Sequence, residues 1–110
     1  MARDSLGDFE QLILLAILRL PDEAYGLRIQ EEIEERAHRT ASLGMVYTAL
    51  ERLEQKKFVS SWSGGATSER GGRSKRFFKV EAAGMRALQK TLAATKRMAA
   101  GVEALVGGSR

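Results

Sequence analysis

Between Lys56 and Val80 stand seven Lys or Arg against a single acid, Glu69. Arg70, Arg73 and Lys75 are interleaved with glycines in the span GGATSERGGRSK, which covers residues 64–75, and Arg76 follows it directly. Glycine lets a backbone approach an anion closely, Arg supplies forked donors and Lys a point charge, so this span reads as a phosphate-gripping loop. A nucleotide-binding P-loop is excluded by spacing. Gly71-Gly72-Arg73-Ser74 lacks the Gly-Lys-Ser/Thr ending and does not lead from a strand into a helix. Upstream, Tyr47 and Thr48 have the chemistry for phosphate or base-edge contacts and Arg52 for a phosphate contact. Tyr47 has a second reading of equal weight, as a half-buried packing residue.

Little else in the chain has the chemistry of a site. His38 is the only histidine and has no carboxylate cluster at metal-ligand spacing, so it reads as a surface connector residue. The pairs Glu31-Glu32 and Glu34-Glu35 read as a solvated helix face, since an acid and base couple needs a pocket that separates their pKa values. No nucleophile stands with a base, so no catalytic residue and no cofactor is expected. The absence of cysteine excludes a disulfide framework and a thiolate metal site, and points to a cytoplasmic location. The N-terminus MARDSLGDFE lacks the apolar core of a signal peptide. The longest apolar run, Leu12 to Leu18, is far short of the roughly 20 residues that span a bilayer.

These residues need elements to position them. Leu6, Phe9, Ile13, Ile17 and Leu20 keep helical spacing, and Leu12, Leu14, Leu15 and Leu18 make the segment 6–20 apolar nearly all round, so it must be covered on more than one side. Pro21 closes it. A second helix, Tyr25 to Ala37, is expected to bury Tyr25, Leu27, Ile29 or Ile33 and to show its glutamates to solvent. Residues 22–37 hold six acids against Arg28 and Arg36, which makes the chain bipolar within its net charge of +4. After a short connector, Ser42 is an N-cap for a third helix whose buried stripe is Val46, Ala49, Leu50 and Leu53. Phe58 to Trp62 and Arg76 to Val80 then form a hairpin, with Phe78 and Val80 on one face and Lys75, Phe77 and Lys79 on the other. Trp62 is read as hairpin packing.

From Glu81 a helix is expected to run to about Val106, roughly 38 Å at 1.5 Å per residue. Met85, Leu88, Leu92, Thr95, Ala99, Val102 and Val106 form a heptad-like seam, weakened by Gly84 and Gly101. This seam and the over-apolar first helix both need a covering surface, which a homodimer supplies: Leu12, Leu15, Met85, Leu88, Leu92, Ala99 and Val102 are its expected interface.

The order of acidic helix, short connector, amphipathic helix and basic hairpin is that of a winged helix-turn-helix. The fold class is therefore mainly α with a small β-hairpin (α+β), comprising a DNA-binding unit at 6–80 and a long C-terminal dimerisation helix at 81–106. At this level the chain resembles the PadR-like transcriptional regulators of bacteria over about residues 6–106. The pieces that carry the resemblance are LILLAILRLPDEAYGLRIQEEIEE, SLGMVYTALERLEQKKFV and GGRSKRFFKVEAAGMRAL. The resemblance implies a repressor, dimeric through its C-terminal helix, on a pseudo-palindromic double-stranded DNA operator. By similarity the DNA-facing residues are Ser42, Gly44, Met45, Tyr47 and Thr48, with Arg70, Arg73 and Lys75 on the wing.

Two positions depart from the family pattern. Leu43 stands where proline is usual and Met45 where Thr or Ser is common; Met45 cannot donate a hydrogen bond, which leaves base preference at that position open, an apolar contact to a thymine methyl being one alternative. Family members include some released from DNA by small apolar or phenolic compounds, but no residue set here identifies a small-molecule effector. The rival reading is a winged-helix protein-interaction module without sequence-specific DNA binding, because the third helix is slightly acidic.

Overall fold

The computed structural model describes residues 5–64 and 75–107. Three helices, α1 (Asp8–Arg19), α2 (Gly26–Ala37) and α3 (Leu43–Gln55), precede the strands β1 (Val59–Gly64) and β2 (Lys75–Val80), and α4 (Ala82–Ala99) and a short α5 (Glu103–Gly107) follow. The result is a mainly helical fold with a two-stranded antiparallel hairpin, as the sequence pattern implies.

α1 starts two residues later than its apolar spacing suggests, because Gly7 is extended and its N–H is taken by the Glu10 carboxylate at 2.8 Å. The same Glu10 oxygen accepts from Lys56 Nζ at 2.8 Å, so a carboxylate buried at 7% exposure is paired rather than stranded. Ile13, Leu14, Ala16 and Ile17 turn into the core and α1 packs against α2, α3, β2 and α4. The chain reverses through Pro21 and Asp22, the latter at φ +70°. α2 buries Ile29 and Ile33, but Leu27 is half exposed, which corrects its expected place in the core. Leu27 lies two residues from Ile29, about 200° around the helix, so the two cannot share a face.

Ser42 caps α3 as expected, its Oγ accepting the Met45 N–H at 3.1 Å. Val46, Ala49, Leu50 and Leu53 are buried against α1, α2 and β1. Each fully buried Val or Leu side chain among them contributes about 1.5–3 kcal/mol over an exposed one. β1 begins one residue later than the expected Phe58, which instead closes the turn after α3: its N–H donates to the Leu53 carbonyl (2.9 Å) and its carbonyl accepts from Glu81 N–H (2.8 Å). The register pairs Val59 with Val80 and Gly64 with Lys75. Phe78 is buried, and its N–H donates to the Ala24 carbonyl at 2.9 Å, tying the hairpin to the entrance of α2.

The C-terminal helix is not continuous to Val106. α4 has 18 residues, about 27 Å, and ends where Ala100 turns extended and Gly101 takes φ +89°, a region open to glycine. Gly84 is likewise more than a weak point in a helix. A Cβ there would overlap the Phe58 carbonyl, so glycine is what lets α4 lie directly on the turn that starts the hairpin. No helix among the described residues is long and apolar enough to cross a membrane.

Candidate nucleic-acid interface

α3 has its buried stripe on one side, so helical periodicity places Gly44, Thr48, Glu51 and Gln55 along the opposite side. Met45 and Arg52 lie toward α1, and Tyr47 and Glu54 toward the hairpin. Ser42, Gly44, Met45, Tyr47, Thr48 and Arg52 are all exposed, and the structure brings these six expected contacts onto one surface. Between this surface and the start of α1 runs an open groove of about 720 Å³, whose lining includes Phe9, Met45, Thr48 and Arg52. Arg52 is in no ion pair among the described residues, so its guanidinium is available to an anion.

Tyr47 satisfies the packing reading without leaving the surface. Its phenol lies over Gly26 at the head of α2, where any Cβ would overlap the ring, yet Tyr47 keeps 45% of its surface exposed. The dipeptide Tyr25-Gly26 thus sets the spacing between α2 and α3. Tyr25 also meets Phe77 edge-on at 5.7 Å, and Trp62 stacks on Phe77 at 5.9 Å. Trp62 therefore does pack on the hairpin, on its outer face.

The cations of the hairpin divide into two groups. Lys75 stands with Nζ 4.5 Å above the Tyr25 ring and is exposed. Arg76 is braced: Nη2 donates to Glu54 Oε1 at 2.9 Å, Nε donates to Ser61 Oγ at 2.9 Å, and Ser61 Oγ donates to Glu54 Oε2 at 2.7 Å. This triad fastens the end of α3 to both strands. It moves Arg76 from the expected phosphate-gripping set to a structural brace, and no spacing in the sequence links residues 54, 61 and 76. Arg70 and Arg73 lie outside the described residues.

On the acidic face of α2, Glu31 and Glu32 are engaged by arginines. Glu32 receives Arg36 at 3.0 Å and Arg19 at 3.3 Å, with Arg28 at 3.7 Å. The Arg36 hydrogen bond, helped by Arg19, holds the Glu32 carboxyl below the usual carboxylate range against the opposing effect of burial. Exposed pairs of this kind add little stability, and that of Arg19 joins α1 to α2. His38 ends α2 at φ +54° and is exposed, consistent with a connector role. Among the described residues no group of three His, Cys, Asp or Glu is placed to hold a metal.

Of the expected interface residues between two copies, Met85, Leu92 and Val102 are exposed and Leu12, Leu15 and Ala99 half-buried. Leu88 differs, with 4% exposure, because it completes the core of its own chain. Sequence spacing missed this division, which depends on how closely Gly84 lets α4 approach. Met98, Leu105 and Val106 extend the exposed apolar surface beyond the expected set.

The family model described as the Transcriptional regulator PadR-like family matches residues 14–90. Among solved structures, a PadR family transcription regulator from Clostridium difficile R20291 is similar with a TM-score of 0.67 and 24% identity, over 87% of this chain and 98% of that one. A PadR-like transcription factor from Bacteroides fragilis gives a TM-score of 0.69 and 24% identity, over 88% of each chain. Bacillus subtilis PadR, solved in complex with operator DNA, gives a TM-score of 0.62 and 16% identity, over 76% of this chain and 46% of that one. Comparison with curated proteins gives no match. At these identities the solved structures establish a shared fold.

Proposed function

The chain belongs to the PadR-like family of transcriptional regulators, and from that premise we propose that it is a sequence-specific DNA-binding repressor acting as a homodimer on a pseudo-palindromic operator. One observation carries the proposal. The outer face of α3, from Ser42 through Thr48 to Arg52, is exposed along its length and stands beside a hairpin rooted in basic sequence. Such a helix has the diameter to enter a major groove, while Arg52, Lys75 and the loop residues Arg70 and Arg73 meet phosphates.

Residues 6–80 form the DNA-binding unit in this reading, and α4 with α5 supplies the dimer. The exposed residues Met85, Leu92 and Val102, with Leu12 and Leu15, are the surface a second copy covers. Two copies then place their α3 helices in successive major grooves about 34 Å apart. A small-molecule effector that releases DNA is compatible with this architecture and is no part of its minimum.

The test is selection of bound duplexes from a random library, followed by gel shift of the enriched sequence at rising salt. The proposal expects a short inverted repeat whose affinity falls steeply with salt. The absence of any enriched motif, with retention of Arg70→Ala and Arg73→Ala variants on nucleic acid unchanged, contradicts it and favours the protein-interaction reading.

A further inference from the structure

α3 carries more acid than base, which is unexpected on a surface offered to DNA. The two acids have different fates. Glu54 is neutralised by Arg76 and held by Ser61. Glu51 is exposed and makes no hydrogen bond or ion pair among the described residues. Its place on the helix is central: Thr48 and Glu51, one turn apart, straddle the line farthest from the buried stripe of Val46, Ala49, Leu50 and Leu53. If α3 enters a groove, as the proposed function holds, Glu51 enters with it.

A carboxylate carried toward a polyanion is repelled unless something there donates to it. In the major groove the donors are the exocyclic amino groups of cytosine and adenine, while guanine O6 and N7 and thymine O4 are acceptors that repel a carboxylate. Adenine sets its N7 acceptor next to its amino group, whereas cytosine presents N4 without an adjacent acceptor. We propose that Glu51 is a specificity-determining residue that reads a cytosine in each half-site through the N4 amino group. Its charge then discriminates against the other three bases and lowers affinity for DNA lacking the cytosine. On this inference the acidity of α3 serves DNA selection, and Thr48 and Glu51 together supply the polar base readout that Met45 cannot.

The experiment compares motifs selected from a random duplex library by the wild-type chain and by Glu51→Ala and Glu51→Gln. Because Glu51 is exposed and has no partner among the described residues, both variants fold, which an unchanged urea midpoint verifies. The expected result is a wild-type half-site with one strongly required C·G pair. In Glu51→Ala that preference falls by about fivefold to thirtyfold, within the range of a specific side-chain contact to a base, and binding to unrelated DNA strengthens. In Glu51→Gln the same position shifts toward adenine, whose N6 and N7 match an amide. A wild-type motif that both variants reproduce unchanged overturns the inference while leaving the DNA-binding reading intact. A wild-type chain that enriches no motif overturns both.

Discussion

Replacing Gly84 by alanine sets two physical effects against each other, and the structure decides the sign. Gly84 lies in the first turn of α4, where helix propensity alone makes alanine the better residue by up to about 1 kcal/mol. A Cβ at this position overlaps the backbone carbonyl of Phe58, and it also crowds the Phe58 carbonyl carbon at 3.0 Å and Cβ at 3.1 Å. The obstacle is backbone, and it cannot swing aside like the end of a long side chain. The same carbonyl accepts the Glu81 N–H at 2.8 Å, so moving α4 away also lengthens that bond and lifts Leu88 from the core. Because the overlap is with backbone, the cost sits in the upper part of the overpacking range, about 2–3 kcal/mol, and subtracting the propensity gain of about 1 kcal/mol leaves a net loss of about 1–2 kcal/mol. With a urea slope of about 1–2 kcal/mol per molar, the unfolding midpoint falls by roughly 1 M. The assay is equilibrium urea unfolding at one fixed protomer concentration, since a dimer's stability depends on it. Ala93→Gly, at an exposed site in the same helix, is the control that reports propensity alone, with a loss of about 1 kcal/mol. A midpoint for Gly84→Ala equal to or above wild type refutes the close packing of α4 on the hairpin turn.

Three further outcomes follow from the same structure. Gly26→Ala drives the Tyr47 ring from its seat and costs about 1–3 kcal/mol; in a Tyr47→Ala background most of that cost disappears, and a double-mutant cycle measures the coupling. Arg52→Ala weakens DNA binding without altering the selected motif, and lowers the slope of log affinity against log salt by about 0.9, the value of one phosphate contact; an unchanged slope removes Arg52 from the interface. Glu32 has a lowered folded-state pKa, so its contribution to stability is present above the ordinary glutamate range and is lost as pH falls through the lowered value. Glu32→Gln therefore flattens the acid limb of the stability profile between those two points, and a superimposable limb in the two proteins contradicts the assigned Arg36 contact.

What the sequence made legible was local. The 3.6-residue stripe of α3, its Ser42 cap and the alternation in β2 are each decided by neighbours a few residues apart, and they appear as expected. The contacts that escaped it join residues distant along the chain. Arg76 reads as one more cation beside Lys75, and only the folded chain brings Glu54 and Ser61 to it. Gly84 and Gly101 look alike as interruptions of a helix, yet one permits a close crossing and the other breaks the helix through its positive φ. Leu88 shares the spacing of Leu92, but the approach of α4 at Gly84 buries the first in its own core and leaves the second exposed. In the sequence Glu51 is no more than part of a slightly acidic third helix; its lack of a partner among the described residues stands out only once Glu54 is seen to be engaged.

The central claim is that two copies of this chain grip one short DNA sequence through paired α3 helices. Sedimentation of the protein with its selected duplex and with a scrambled duplex of equal length tests it most directly. The account predicts two chains per selected duplex, and on the scrambled duplex binding weaker by at least about a thousandfold at physiological salt. Equal binding to the two duplexes, or a complex holding a single chain, contradicts it.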